Sequence, residues 1–489
     1  MSVSELKRLP LHPVALMVAI AFFVLFAASS LRHILFQSTA FELGIYDQVV
    51  YLIGRGEPPI SSFLNIHHMG NHAAWAVYPL GILYWIYPSV YWLFLVQAIS
   101  LAVGAWPTWC LARQAGLDRR VSVAVAATYL LYPVVFNINL FDFHPEVMAL
   151  PALLAAIGAA RCDRTLWFTI AIIWILGCKD ALALTVIGMG FWLYFFEKKR
   201  RCGAIALFLG AAWFAIAVGV IIPHFKEGGG PGGVGRYTYL GDSIPEIIIN
   251  LVFKPKRVLE RVFSPDSLEY LALVFSPVIF WLSPRHLSPL VATVPVLAKN
   301  MLSDIQAQRD LIHQYSVPIV PFLMVAIIAT LAEGKGYLGK YLWVWFWRDR
   351  SIQCIGSFNY NLHKLIVVWS LIGFVSLAKF GYFWSIYLEE IDTWSASGNA
   401  VARVYPDGSV LTTANLAPHL THRRAIEFTN SDAKIPDLTQ FDQVLLNLRH
   451  PGWRSSREFA NFLFENLQNS DDFEIQYSQD DVYLFKKIY

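Results

Sequence analysis

Acidic and imidazole side chains are concentrated in one early stretch of the chain, residues 41–72. The stretch carries two carboxylates, Glu42 and Asp47. It also carries three closely spaced histidines, which are His67, His68 and His72. A carboxylate can accept a proton from a nucleophile, and an imidazole can exchange protons or bind a metal near neutral pH. Because only 15% of the chain is charged, this concentration predicts one wall of an extracytoplasmic active site, in which Asp47 or Glu42 can be catalytic.

Further ionisable groups interrupt three later apolar regions. They are Asp142, His144 and Glu146 in the first, Lys179 and Asp180 in the second, and Arg309 and His313 in the third. Carboxylates and imidazoles of this kind can orient a hydroxyl group, and the cations can bind a phosphate. We predict that these groups, together with His72, bind the substrate.

Helix geometry offers simpler explanations for three of the carboxylates. Glu42 and Asp47 are five positions apart, which places them about 140° apart on a regular helix, so they cannot both point at one atom there. Either of them can cap a helix instead of taking part in catalysis. Asp142 can cap a helix that starts near Pro145.

The later charged pairs also have structural alternatives. Lys179 and Asp180 can form a neutralising ion pair at a tight turn, although charges so near a bilayer are costly and are often functional. Arg309 and His313 are four positions apart, so on a helix they share one face. They can bind a phosphate there or anchor the chain at the membrane interface.

A metal site is a further prediction from the same residues. His67, His72 and Asp142 together offer imidazole and carboxylate ligands for a divalent cation such as Mg²⁺ or Mn²⁺. Interfacial histidines are more often hydrogen-bonded to loops, which is the alternative. No other cofactor is expected.

The composition is typical of a polytopic membrane protein that lies in a lipid bilayer. Of the 489 residues, 56% are hydrophobic and 15% are aromatic, and several apolar runs are long enough to cross a bilayer. The net charge of +3 is spread over loops, so no nucleic-acid partner is expected. The five cysteines show no CxxC spacing and do not predict a disulfide framework.

Basic residues predict which loops face the cytoplasm. Lys7 and Arg8 precede the first apolar run, residues 11–31, which predicts a retained span with a cytoplasmic amino end. Residues 32–88 are then the first extracytoplasmic loop, and a Gly-rich segment predicts a flexible outer loop at 224–266. With about 10–12 spans in all, every candidate site residue falls on the extracytoplasmic face.

These side assignments depend on residues 165–196. The segment is apolar except for Lys179 and Asp180 at its middle, and basic clusters flank both of its ends. The flanks favour a hairpin whose outer tip carries the two charged residues. One long tilted helix is the alternative, and it would invert every later side assignment.

The carboxy-terminal residues differ in kind. From Glu389 the charge density rises, and short strand-like runs alternate with one helical run. We therefore predict an all-α transmembrane domain, residues 1–388, followed by a small extracytoplasmic α/β domain, residues 389–489. Such a domain recognises an acceptor, caps a site or stabilises the assembly.

The order of the motifs resembles a known family. In chain order they are FELGIYDQ at 41–48, GRGEPP at 54–59, HHMGNH at 67–72, FDFHPE at 141–146 and KD at 179–180. The resemblance extends to LAPHL at 416–420 and LNLRHPGW at 446–453, so it covers most of the chain. The family consists of uncharacterised membrane proteins that are grouped with the GT-C glycosyltransferases.

The resemblance implies a GT-C-like multipass fold and a function. A GT-C enzyme transfers a sugar from a polyprenyl-phosphate donor, with an acidic residue of the first extracytoplasmic loop as the base. Here the enzyme would lie in a bacterial plasma membrane, and its acceptor would be an extracytoplasmic glycan, lipid or protein. The family usually carries Asp where this chain has Glu42, so Glu42 and Asp47 both remain candidates. Inverting transfer is the simplest expectation, since it needs no second nucleophile.

Two other classes of protein are alternatives. A transporter or flippase of lipid-linked or small polar substrates also has many spans, but it is expected to show internal repeats and charges at mid-helix. A non-catalytic membrane scaffold would present the outer domain without needing Glu42, Asp47 or Asp142.

Overall fold

The structure is a computed structural model that describes residues 12–230, 232–334, 339 and 353–488. Lys7 and Arg8, from which the cytoplasmic start of the first span is predicted, lie outside the described residues. Most of the described chain before residue 386 is helical. This confirms the predicted helical membrane domain.

The helices before residue 162 surround the early ionisable stretch. They are α1 Pro13–Ile34, α2 Ile45–Gly54, α3 His68–His72, α4 Gly81–Ile86, α5 Tyr91–Val103, α6 Ala105–Gln114, α7 Arg119–Leu130, α8 Pro133–Leu140 and α9 Glu146–Arg161. Two short antiparallel strands, β1 Ile60–Ser61 and β2 Ile66–His67, lie between α2 and α3.

The later helices complete the membrane domain. They are α10 Thr165–Cys178, α11 Leu182–Phe195, α12 Arg200–Ile216, α13 Ile222–Phe225, α14 Ile244–Phe253, α15 Pro255–Val262, α16 Pro265–Phe275, α17 Val294–Met301, α18 Val320–Glu333, α19 Gln353–Leu377 and α20 Tyr382–Ser385. Most of their buried apolar side chains form one continuous core with those of the earlier helices. Ile222 of α13 lies in a small separate cluster, and α14 and α15 have no buried residue.

Several described helices are long and apolar enough to cross a membrane. They cover Pro13–Ile34, Tyr91–Gln114, Arg119–Leu140, Arg200–Phe225 and Gln306–Glu333. Residues 361–377 and 379–385 add one more if the pair, bent by 45°, is a single span. Shorter apolar helices such as α10 and α11 lie among them. The predicted total of about 10–12 spans depends on whether these shorter helices also cross, and it stays a prediction.

Helices α10 and α11 form the hairpin that their basic flanks predict. At the ends far from the turn, Arg161 Nη2 lies 2.9 Å from Glu197 Oε1. Lys199 Nζ lies 2.8 Å from Asp163 Oδ2 at the same place. These ion pairs join the start of one arm to the end of the other, so the segment cannot be one long helix.

Glycines allow α11 and α12 to pack closely. A Cβ at Gly190 would lie 2.7 Å from the backbone nitrogen of Leu207, and a Cβ at Gly203 would lie 2.7 Å from Tyr194 Cβ. Small residues at such crossings let two backbones approach, and the resulting van der Waals contact is a main source of helix association in lipid. The hairpin is therefore held rigidly against the next helix.

Residues 224–266 differ from the flexible loop that their glycines predict. The segment contains α14 and α15, and each begins with a proline in its first turn. Ser243 caps α14 by accepting a hydrogen bond from Glu246 N. A capping serine followed by proline and glutamate favours a helix start, so the prediction overlooked a local helix signal beside the Gly-rich run.

The carboxy-terminal part contains the predicted small α/β sheet. Its strands are β3 Val410–Thr412, β4 Ile426–Phe428, β5 Gln443–Asn447, β6 Phe473–Gln479 and β7 Val482–Lys487, in the order β4-β3-β5-β7-β6. The β3 strand pairs in parallel with β4 and β5, whereas β7 pairs antiparallel with β5 and β6. The domain boundary at residue 389 remains a prediction.

Alternating side chains bury both faces of this sheet. Val410 packs in one cluster with Ala396 of α21, Trp394–Val401, while Leu411 packs in another with Leu463 of α22, Arg457–Gln468. A period of two along a strand sends successive side chains to opposite faces. A helix therefore covers each face.

Cys162 lies between Arg161 and Asp163, at the end of the hairpin far from its turn. We therefore predict that Cys162 and the sheet domain lie on opposite sides of the membrane. Cys162 is exposed next to Asp163, and Asp471 is exposed in the sheet domain. In a variant that keeps Cys162 alone, we expect no labelling of intact cells by a membrane-impermeant maleimide. A variant with Asp471→Cys as its single cysteine should be labelled. Equal labelling of both variants would contradict this topology.

Candidate active site

A short π-helical turn, Ala40–Gly44, presents Glu42 directly before α2. Glu42 Oε2 lies 3.1 Å from His144 Nε2. The His144 side chain is 1% exposed, whereas 28% of the Glu42 side chain is exposed. π-Helical turns often mark functional sites. The carboxylate is therefore held by a buried imidazole on one side and is open to a ligand on the other.

The tip of the α10–α11 hairpin lies beside this pair. Lys179 forms a buried ion pair with Glu146 at the start of α9. Asp180 Oδ1 lies 3.1 Å from His72 Nδ1, and the Asp180 backbone N–H donates to the His72 carbonyl at 3.1 Å. Residues that the sequence places in three separate loops thus meet at one end of the helices.

Asp142 anchors the turn that carries His144. Its carboxylate pairs with Arg32 at the end of α1, and it accepts hydrogen bonds from Thr39 N and Oγ1 at 3.0 and 3.1 Å. Gln97 of α5 donates to the Asp142 carbonyl at 2.9 Å and accepts from His144 N at 3.1 Å. Asp142 has a φ of +69°, a conformation that only such surrounding contacts can hold. It does not cap α9, whose N-cap position is Pro145 and which has no side-chain cap.

Asp47 faces away from this network. It is 1% exposed, and it accepts hydrogen bonds from Tyr84 Oη and Thr421 Oγ1, while His422 Nε2 lies 3.3 Å away. Thr421 and His422 belong to the sheet domain. Next to it, Gln48 Nε2 donates to the Arg423 carbonyl at 3.2 Å. Asp47 therefore joins the first loop to the sheet domain, and its contacts leave it no open side for a substrate.

Two cations that sequence reasoning gave no role lie at this site. Lys299, at the end of α17, and Arg236, in the Gly-rich segment, lie on the ring of Tyr315 at 5.5 and 5.3 Å from its centroid. Arg236 Nη1 also donates to Tyr315 Oη at 3.0 Å. Both cations are half-buried, and neither has a carboxylate partner within the described chain. A lone lysine after a proline-kinked apolar run is the sequence signal that identifies Lys299.

Electrostatic interactions connect these groups. Burial raises the pKa of Glu42, but His144 and Lys179 lower it by more, so that it lies below its ordinary value. Burial lowers the pKa of His144, but Glu42 and Glu146 together raise it by more, so that it lies above its ordinary value. Burial, Lys179 and Arg236 together lower the pKa of Lys299 to about 8. Glu42 is thus ionised at neutral pH, and Lys299 loses its charge just above it.

Arg309 and His313 do not share a helix face, contrary to the prediction. A 3-10 helix, Gln306–Arg309, ends at Arg309, and His313 follows in a separate turn. Arg309 donates to the Ser303 carbonyl and, at 2.9 Å, to Gln306 Oε1. These contacts use the guanidinium to fold its own loop.

His313 does reach the site through its ring. Its Nδ1 lies 2.6 Å from Asp310 Oδ2, and its ring centroid lies 4.3 Å from that of Phe141. Phe141 in turn stacks on His144 at 5.2 Å. His313 therefore supports the turn that carries His144.

The residues predicted to bind a metal do not come together as ligands. His67 stacks on Phe225 at 4.2 Å and accepts a hydrogen bond from Met69 N. Asp142 is occupied by Arg32, and His72 by Asp180. Across the described residues, no group of three His, Cys, Asp or Glu side chains could hold a metal ion. We therefore derive no chemical step through a metal, and the divalent cation stays a prediction.

A family model described as "Predicted membrane protein (DUF2079)" matches residues 32–484, which is most of the chain. The chain belongs to this family. No curated protein sequence matches the chain. The match to the family model confirms the resemblance that the motifs indicate.

Solved structures with a similar fold include two of ArnT from Cupriavidus metallidurans. The structure bound to undecaprenyl phosphate has a TM-score of 0.55, and the apo structure has a TM-score of 0.57. Each is 12% identical and covers 97% of this chain and 98% of its own. ArnT is a GT-C glycosyltransferase, and the chain described here has an ArnT-like fold. At this identity the likeness concerns the fold alone.

The different surroundings of the two acidic candidates predict different effects on stability. Asp47→Ala leaves Tyr84, Thr421 and His422 without their buried partner, which should cost about 3 kcal/mol. We expect the thermal midpoint of the purified protein to fall by roughly 5 °C or more. Glu42→Ala is the matched control, and because Glu42 is partly exposed and has one partner, His144, it should lower the midpoint by less. Equal melting of the two variants would contradict the assigned roles.

Proposed function

We propose that this protein is a membrane glycosyltransferase that transfers a sugar from a polyprenyl-phosphate donor to an extracytoplasmic acceptor. The observation that carries the proposal is the arrangement around Glu42. An accessible, ionised carboxylate lies in one electrostatic network with Lys179 and with two cations that lack carboxylate partners, Lys299 and Arg236. The ArnT-like fold supports the same reaction class, since one of the two ArnT structures is bound to undecaprenyl phosphate.

The proposed reaction is a single displacement at the anomeric carbon. Glu42 accepts the proton of the acceptor hydroxyl as the oxygen attacks. The new bond joins that oxygen to the anomeric carbon, and the bond from this carbon to the phosphate oxygen breaks. The phosphate leaves with the bonding electron pair, and the positive charges of Lys299 and Arg236 stabilise it. One displacement inverts the anomeric configuration.

Other residues position these groups. His144 holds the Glu42 carboxylate through its 3.1 Å contact, and the Glu146–Lys179 ion pair keeps a further cation beside it. The His72–Asp180 contact fixes the turn that carries Lys179. We assign the base to Glu42 and a structural role to Asp47, because only Glu42 combines a charge with access.

Transfer of labelled sugar from a panel of polyprenyl-phosphate sugars tests the proposal directly. We expect Glu42→Gln to lower the rate by about 100-fold or more, because general-base catalysis contributes that much. Asp47→Asn should lose activity only in proportion to the folded protein that is lost. Parallel reactions with EDTA test the divalent cation.

Two results would count against the enzyme assignment. Full activity of Glu42→Gln would remove Glu42 from the mechanism. Absence of both turnover and donor binding in folded wild-type protein would favour a transporter or a scaffold instead.

The lowered pKa of Lys299 predicts how donor binding depends on pH. Its pKa of about 8 means that the charge is present below this pH and is lost as the pH rises through it. Affinity for polyprenyl phosphate should therefore fall on the alkaline side. In Lys299→Arg the side chain stays charged, so the fall should move to higher pH by one unit or more. Lys256→Arg, at an exposed lysine of α15, is the control. An unchanged profile in Lys299→Arg would contradict the role of Lys299.

A further inference from the structure

The motif that ends at Trp453 has no role in the proposed reaction. The Trp453 side chain nevertheless contacts both the first loop and the sheet domain. The Trp453 ring lies 5.3 Å from that of Phe41 in the first loop. It also stacks on Phe428, the last residue of β4, at 5.8 Å. These three residues form an aromatic platform. Phe41 directly precedes Glu42 in the chain, so one ring of the platform belongs to the neighbour of the proposed catalytic residue.

The platform is open to solvent. Trp453 is 43% exposed, and Phe41 and Phe428 are half-buried. Flat aromatic faces carry partial negative charge and attract the polarised C–H groups of a sugar ring. A partly covered platform of this kind therefore suits a pyranose ring.

A cation completes the surface. The guanidinium of Arg454 lies 4.5 Å from the Trp453 ring centroid and 5.9 Å from that of Phe41. No ion pair of the described chain involves this exposed residue, whereas Arg449 of the same segment pairs with Asp392 and Asp481. Arg454 thus keeps its charge-assisted donors available for an anionic group.

The backbone that carries the platform is held in a strained conformation. Arg454 has a φ of +60°, which is unfavourable for any residue with a side chain. The Arg454 carbonyl accepts hydrogen bonds from Ser431 N at 2.8 Å and Ser431 Oγ at 3.2 Å. Gly452, with a φ of +78°, provides the turn before it. Strain held by such contacts is typical of positions that serve a ligand.

From these observations we propose that Phe41, Phe428, Trp453 and Arg454 bind a sugar ring of the acceptor, and that this ring or its neighbour carries an acidic group. The inference rests on the proposed function, since it makes the sheet domain the acceptor-binding part of the transferase. A lipid headgroup is the other chemistry that aromatic and basic residues can meet. We favour the sugar because one of the three rings, Phe41, belongs to the residue directly before Glu42, where an acceptor must be held for transfer.

The test measures binding without requiring turnover. Full-length protein in nanodiscs of neutral lipid is labelled with 5-fluorotryptophan, and the Trp453 signal is assigned by its loss in Trp453→Phe. Neutral cello-, malto- and chito-oligosaccharides and anionic oligogalacturonates are then titrated. We expect saturable shifts of the Trp453 signal, with oligogalacturonates binding about tenfold more tightly because of the charge on Arg454. Arg454→Gln should remove that preference.

Controls separate the possible outcomes. Phe462→Ala changes an aromatic residue of the same domain that is 42% exposed, and it should leave binding unchanged. Three results would each overturn the proposal. They are the absence of a sugar-dependent shift at Trp453, equal affinity for neutral and acidic sugars, and a shift that appears only when anionic lipid is added. Glu42→Gln should still bind sugar. If sugar binds at Trp453 but Glu42→Gln is fully active, the proposed function is refuted and the sugar site is not. If transfer depends on Glu42 but no sugar binds at Trp453, the sugar site is refuted and the proposed function is not.

Discussion

The cost of burying charge is the constraint on which this structure depends. An isolated charge cannot be taken out of water in a membrane protein unless an opposite charge or hydrogen-bond donors compensate it. The candidate site satisfies this through pairs contributed by different segments, such as Glu42 with His144 and Glu146 with Lys179. Each pair therefore also fixes the position of one loop against another. The cations left without carboxylates are the ones available to an anionic ligand.

The same constraint separates the two acidic residues of the first loop. Asp47 is enclosed by hydroxyl groups and an imidazole, and these come partly from the sheet domain. It fixes that domain to the first loop, and the domain in turn covers it. Glu42 keeps an open side because a single buried imidazole holds it. A difference of five positions in the sequence thus separates a structural carboxylate from an accessible one.

Much of this arrangement could be predicted from the sequence. Apolar runs and basic flanks predicted the helical membrane domain and the α10–α11 hairpin, because length and charge alone govern those features. Alternating patterns predicted the sheet domain. The motifs at 67–72, 141–146 and 179–180 identified residues that meet in space. Periodicity could not reveal which side chains pair, since such pairs join segments far apart in the chain.

Three features escaped prediction for physical reasons. Lys299 has only a weak local signal, a lone lysine after a proline-kinked apolar run, and its role depends on Lys179 and Arg236, which are far away in the chain. The platform around Trp453 combines residues from both domains, so no local pattern contains it. Arg309 was expected to face a ligand, but a 3-10 turn directs it into its own loop, where nearby carbonyls compete for its donors.

We propose above all that the phosphate of a polyprenyl lipid binds where Lys299 and Arg236 face the Glu42 network. The decisive experiment is an experimental structure of the protein in nanodiscs with undecaprenyl phosphate. We expect phosphate density within hydrogen-bond distance of Lys299 and Arg236, with the Glu42 carboxylate facing the same cavity. Lipid phosphate bound elsewhere, with Lys299 and Arg236 still packed on Tyr315 and no ligand between them and Glu42, would contradict it.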